Sequence, residues 1–145
     1  MANIIEVSDK LKSLIAGKGD IKAQYSVALT QTREITMENG EFTLFRTLFD
    51  NDVEIKVIKE GKVGTTSLNK FDDAALSEAV DNVLVSAEAG TADENFDIAP
   101  GMDAAKFTIG AVEPDIDKLM QRAKELSDDI KNRHPKVLVM QIILK

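Results

Sequence analysis

Cysteine is absent from this 145-residue chain, so neither a disulfide framework nor a thiolate metal site can form. Histidine occurs once, at His134 ahead of Pro135, and a hydrolytic zinc site usually takes three protein ligands that include histidine. There is no tryptophan and one tyrosine, and aromatics make up 5% of the residues. Phe42, Phe45 and Phe49 share a strand-like segment, as stacking aromatics do in RNA-binding sheets, but no lysine or arginine signature accompanies them and they read as core. Basic charge is also scarce. Eighteen lysines and arginines face 25 aspartates and glutamates, for a net charge of −7 and a pI near 4.7. Such a field repels nucleic acid unless a basic patch overrides it. The densest basic clusters, Lys10 with Lys12 and Lys131 with Arg133, sit beside Asp9, Asp128 and Asp129. The first fourteen residues have neither a basic leader region nor an uninterrupted apolar core, so the expected address is the cytoplasm, with no membrane partner and no nucleic acid.

What is present is the balance of a folded protein: 43% hydrophobic and 30% charged residues. The length suits one domain, residues 1–145, able to bury roughly 70% of its unfolded surface. The most informative stretch runs from Val53 to Ala89. Val53, Ile55 and Val57 alternate with Glu54 and Lys56, the signature of a half-buried strand. Glu60-Gly61 then allows a two-residue turn that brings Val63 to Ser67 back antiparallel. After Asn69 the period changes to about 3.6, with Leu76, Val80, Val83, Leu84 and Ala87 on one stripe, Asp72 or Asp73 as cap and Gly90 as stop.

The flanking segments extend this pattern. Asn3 to Lys18 predicts a first helix, capped by Asn3 with Glu6 and closed by Gly17 and Gly19. A strand covers Ala23 to Thr30 and resumes at Ile35 and Met37, either as one strand or as two with a bend near Gln31 to Arg33. Asn39-Gly40 is the strongest hairpin signal in the chain. A second strand, Phe42 to Phe49, is apolar on both faces near its end and is expected to be central or covered, with Asp50-Asn51-Asp52 turning the chain into the Val53 strand. Phe107 to Gly110 could form a short strand in the acidic stretch from Gly90 to Pro114. Pro114 suits the first turn of a helix running to Asn132, ended by His134-Pro135. The closing run KVLVMQIILK reads as a strand covered on both faces. The fold class is α+β: an antiparallel meander of four to five strands with about three helices packed mainly on one face, the last strand added at an edge or the centre.

No catalytic, cofactor-binding or metal-ligating residue emerges from the sequence. Asp93, Asn95 and Asp97 alternate like the start of an EF-hand loop, but Ile98 stands where glycine is needed and Ala104 where a bidentate glutamate is needed. Ser67-Leu68-Asn69-Lys70 matches S-x-x-K without the companion motifs of that chemistry. Gly17, Lys18 and Gly19 end a helix and make no phosphate loop. Arg33 and Arg46 are expected to pair across strands with Glu34 or another carboxylate.

One stretch carries a family resemblance. Glu54 to Gly90, with Val57-Ile58, Gly61, Val63-Gly64, Asn69, Asp72 and the helix from Ala74 to Ala89, resembles the N-terminal domain of the TldD/PmbA family. The Met37-to-Glu41 turn and the pieces on either side fit the same order. Val53, Lys56, Thr65 and Thr66 depart from the family's usual residues. The resemblance implies that this is the N-terminal domain of a longer cytoplasmic protein, a subunit of a zinc metallopeptidase that trims peptide or unfolded substrates in company with a related subunit, as a homodimer or heterodimer. It also implies that zinc belongs in the C-terminal half of such a protein or in its partner subunit, with a histidine pair and a glutamate that this sequence lacks. The chain itself would be non-catalytic, shaping the substrate chamber and the subunit contacts. The label "modulator of DNA gyrase" attaches to the family, and the acidic charge argues against DNA binding by this part. The alternative is a free-standing protein-binding module that uses a sheet edge or the Gly90 to Pro114 loop.

Overall fold

Asn39 and Gly40, with φ of 52° and 90°, make the tight turn that folds β1 (Lys22–Glu38) back into β2 (Glu41–Lys59). A second turn of the same kind, Glu60 and Gly61 at 52° and 72°, leads into β3 (Lys62–Leu68), which pairs with β2 from Val53↔Leu68 to Lys59↔Lys62. The computed structural model describes residues 3–101, 103–111 and 113–145. Among them the hydrogen-bonded strand order is β3-β2-β1-β4, with β4 (Gln141–Leu144) antiparallel to β1. Three helices complete the element list: α1 (Ile4–Ala16), α2 (Asp73–Ala89) and α3 (Ile116–Arg133). The class is α+β with four strands; no fifth strand is needed.

Residues Met1–Thr30 and Asp50–Asp103 form one compact unit, and Gln31–Phe49 with Ala104–Lys145 form another. β1 and β2 each run through both.

The first unit contains the main core. The alternation along β2 sends Val53, Ile55 and Val57 to one face, and Val7 and Leu11 of α1 with Leu76, Ala79, Val80 and Val83 of α2 pack onto them. Seven of these side chains are less than 2% exposed, and burying each fully is worth about 1.5–3 kcal/mol. The caps follow from the sequence. Asn3 Oδ1 accepts from the Ile5 amide, and Asp72 Oδ1 accepts from the Ala75 amide. Gly17 and Gly90 end α1 and α2. Lys10–Asp73 and Lys18–Asp81, at 2.8 and 2.6 Å, link the two helices at the surface, where each pair contributes at most about 1 kcal/mol.

The second unit is organised differently. Glu34, Ile35, Thr36 and Met37 of β1 are buried. Asp115 caps α3 through the Lys118 amide, α3 packs against β4, and it buries only Ala123 and Ser127.

Five sequence expectations are corrected. Asp50-Asn51-Asp52 makes no turn: β2 continues through it, and the polar triplet marks the point where the chain passes from one unit into the other. The strand forms there despite low strand propensity. By contrast, β1 is one unbroken strand, the first of the two alternatives that the sequence left open. Phe107 to Gly110 forms no strand among the described residues, and Phe107 and Ile109 are 82% and 95% exposed. Pro114 lies just outside α3, ahead of its cap. The closing run supplies only the four residues of β4, an edge strand whose apolar neighbours Leu138 and Met140 are exposed. The same holds for the second-strand cluster: β2 is interior in strand order, yet Leu44, Phe45, Leu48 and Phe49 are 37–56% exposed and are not core.

Candidate functional site

Because Val53, Ile55 and Val57 face the helices, Glu54 and Lys56 face the other way. The register places Glu54 opposite Ser67 and Lys56 opposite Thr65, and Gln24 and Ser26 of β1 join them around a depression of about 630 Å³. It is a wall of hydroxyls, an amide, one carboxylate and one ammonium on a rigid backing. No imidazole or thiol is among them, so the surface can accept and donate hydrogen bonds to a polar chain but contains no activated nucleophile. Ser67 belongs to this wall, at the end of β3, and lines no nucleophilic centre.

The acidic side chains are placed for structure. Asp93 Oδ1 accepts from both the backbone amide and the side-chain amide of Asn95, which holds its carboxyl below the usual aspartate range. Asp97 pairs with Lys22 at 2.6 Å and accepts from the Ile98 amide, with the same effect. These residues form a hydrogen-bonded surface loop. Glu88 pairs with Lys59 at 2.7 Å, lowering the carboxyl and raising the ammonium. Arg33 bonds Glu113. Arg46 reaches Glu34 at 2.8 Å, the cross-strand pair expected, and Lys145 approaches the second oxygen of the same buried carboxylate at 3.3 Å. The contribution of Lys145 was not legible, since nothing in sequence spacing joins residue 34 to residue 145.

Zinc does not fit these donors. His134 caps α3, its backbone N–H donating to Ile130 at 2.8 Å, and among the described residues no three side chains of His, Cys, Asp or Glu come together. No helix among them is long and apolar enough to cross a membrane.

Residues 27–87, which include the β2–β3 hairpin and most of α2 but begin after Gln24 and Ser26 of the wall, match the family model described as PmbA/TldA metallopeptidase domain 1. The match supports a resemblance to the first domain of the TldD/PmbA family over 61 of the 145 residues. Two solved structures share its fold. A proposed modulator of a DNA gyrase from Thermotoga maritima is 19% identical with a TM-score of 0.69, over 97% of this chain and 32% of that one. TldE from Thermococcus kodakarensis is 15% identical with a TM-score of 0.72, over 94% of this chain and 32% of that one. The chain thus spans about a third of the length of either structure. No curated protein matches. The family's Val-Gly pair has a physical basis here: a Cβ on Gly64 would lie 2.2 Å from the Val83 carbonyl oxygen and 2.6 Å from the Ala87 nitrogen, so only glycine lets α2 approach β3 this closely.

Proposed function

We propose that this chain is a non-catalytic, cytoplasmic domain of a TldD/PmbA-type zinc metallopeptidase, which lines the space where peptide or unfolded substrates are held and helps pair its subunit with a related one. The family match over residues 27–87 carries the reading. The wall formed by Gln24, Ser26, Glu54, Lys56, Thr65 and Ser67 supports it: hydrogen-bonding groups on a fixed sheet recognise extended backbone with little regard to sequence. In this reading the bond-breaking zinc and its ligands belong to another part of the family's architecture.

The test is amide chemical-shift mapping with an unstructured peptide. Shifts confined to β1, β2 and β3 around Gln24, Glu54 and Thr65, with the peptide recovered intact, support the proposal. Shifts elsewhere with an unperturbed wall, or cleavage by the chain alone, refute it.

A further inference from the structure

The negative charge of the chain is gathered in one of its two units. Residues 1–30 and 50–103 carry sixteen acidic and eight basic side chains, a net of −8, against nine acidic and ten basic, a net of +1, in residues 31–49 and 104–145. The polar wall lies wholly in the acidic unit. Among the described residues, the ion pairs of that unit occupy Lys10, Lys18, Lys22 and Lys59, each with one carboxylate. Twelve carboxylates and four lysines therefore stand outside these pairs, and they set the field that a ligand meets.

Glu54 is one of the twelve. It stands exposed on the wall, on β2 between β1 and β3 and opposite Ser67. The alternation that turns Val53, Ile55 and Val57 to the helices puts Asp52 on the same side of β2 as Glu54, about 7 Å along the strand. Lys56 is the one ammonium among the lining residues, and Lys70 borders Ser67 from the neighbouring depression. Beyond Ile58, the next depression is bordered by Asp20, Glu60, Asp93 and Glu94 with the single base Lys22. An extended peptide repeats its side chains on one side at the same interval of about 7 Å. Successive basic side chains can thus face Glu54 and Asp52 while the peptide backbone meets the amide and hydroxyls of the wall.

We infer that the wall selects cationic peptide segments, chains rich in lysine and arginine, and that Glu54 is its specificity-determining residue. The inference rests on the reading of the wall as a surface that holds peptide, and it names the class of peptide held. Hydrogen bonds to a peptide backbone are indifferent to its side chains. Charge is not: a ligand with several positive charges is drawn in by a unit of net −8, and an acidic one is repelled. Because Glu54 is exposed, its contact with a basic side chain has the strength of a surface ion pair, and the preference fades as salt screens it.

The experiment compares unstructured peptides of one length, a glycine-serine host bearing lysine, glutamate or glutamine at alternate positions, by fluorescence anisotropy and amide shift mapping on the 145-residue chain. In about 0.01 M salt, where charges act over about 30 Å, the lysine peptide should bind at least about tenfold tighter than the glutamate peptide, with shifts at Gln24, Glu54 and Thr65. In about 1 M salt, where they act over about 3 Å, the ratio should fall towards one. Glu54→Gln should lower the low-salt ratio by about three- to fivefold. Asp9→Asn makes the same change of charge on α1, which packs on the other face of the sheet, and should lower the ratio by less than about twofold. Equal or reversed affinities in low salt overturn the inference, as does a preference that survives high salt or one that Glu54→Gln leaves intact. A glutamine peptide that binds the wall as tightly as the lysine peptide removes the charge selection and leaves the peptide reading standing. If no peptide shifts the wall, both fall together.

Discussion

Gly64→Ala should be among the most damaging single-methyl changes available to this protein. The added Cβ would sit 2.2 Å from the Val83 carbonyl oxygen, 2.6 Å from the Ala87 nitrogen and 3.0 Å from the Ala87 Cβ. The first two are helix backbone atoms, which no rotamer change moves. Relief requires α2 to withdraw from β3 by about 1 Å, and a radial gap of that size forfeits a quarter to a half of each dispersion contact along its buried stripe. Leu76, Val80 and Val83 all lie on that stripe. Overpacking costs about 1–3 kcal/mol in general, and a backbone obstruction belongs at the upper end, about 3 kcal/mol. With an unfolding entropy of roughly 2.1 cal/mol/K per residue, that lowers Tm by about 10 °C. Circular dichroism melts of the parent and the variant read it directly. Gly101→Ala is the control, because a Cβ there meets nothing within 4 Å, and its Tm should shift by less than about 2 °C. A Gly64→Ala protein that melts within about 2 °C of the parent would refute the close-approach argument.

Three further outcomes follow from the same geometry. Asp72→Ala removes the side chain that accepts from the Ala75 amide at the start of α2 and should cost about 1 kcal/mol in urea denaturation. Arg46→Ala leaves the buried Glu34 carboxylate with Lys145 alone, at 3.3 Å. Because Arg46 is itself half exposed, the expected loss is about 2 kcal/mol, below that of a fully buried pair, and amide exchange should locate it in β1 and β4. The carboxyls of Glu88, Asp93 and Asp97 titrate below their ordinary values because Lys59, Asn95 and Lys22 respectively hold the charged forms. A lowered carboxyl stabilises the fold above its unfolded pKa, and that contribution fades as pH falls through the lower folded value. Carbon-detected titration of these carboxyls should therefore show midpoints below those in unfolded peptides. Stability should fall as they protonate, and in high salt the Glu88 and Asp97 midpoints should move back towards ordinary values.

Local chemistry was legible wherever neighbouring residues decide the outcome. Asn39-Gly40 and Glu60-Gly61 turned as their tolerance of positive φ requires, and Asn3, Asp72 and Gly90 capped where expected. The alternation of Val53, Ile55 and Val57 gave both the buried face and, by exclusion, the polar wall. What the sequence could not show depends on distant partners. Asp50-Asn51-Asp52 has the composition of a turn, but β2 continues straight through it. Phe45, Phe49 and the closing run have the composition of a core, and composition reports that a residue favours burial without reporting what will bury it. Their exposure in the second unit is the physical residue of that difference. Glu34 and Lys145 meet only because β4 returns alongside β1.

The central claim is that this domain holds and presents while the bond-breaking chemistry lies elsewhere. Its most direct test is the zinc content of the purified 145-residue chain, measured together with peptide cleavage in the presence and absence of a chelator. The account predicts far less than one zinc per chain and no chelator-sensitive cleavage. Stoichiometric zinc with chelator-sensitive hydrolysis by this chain alone would contradict it.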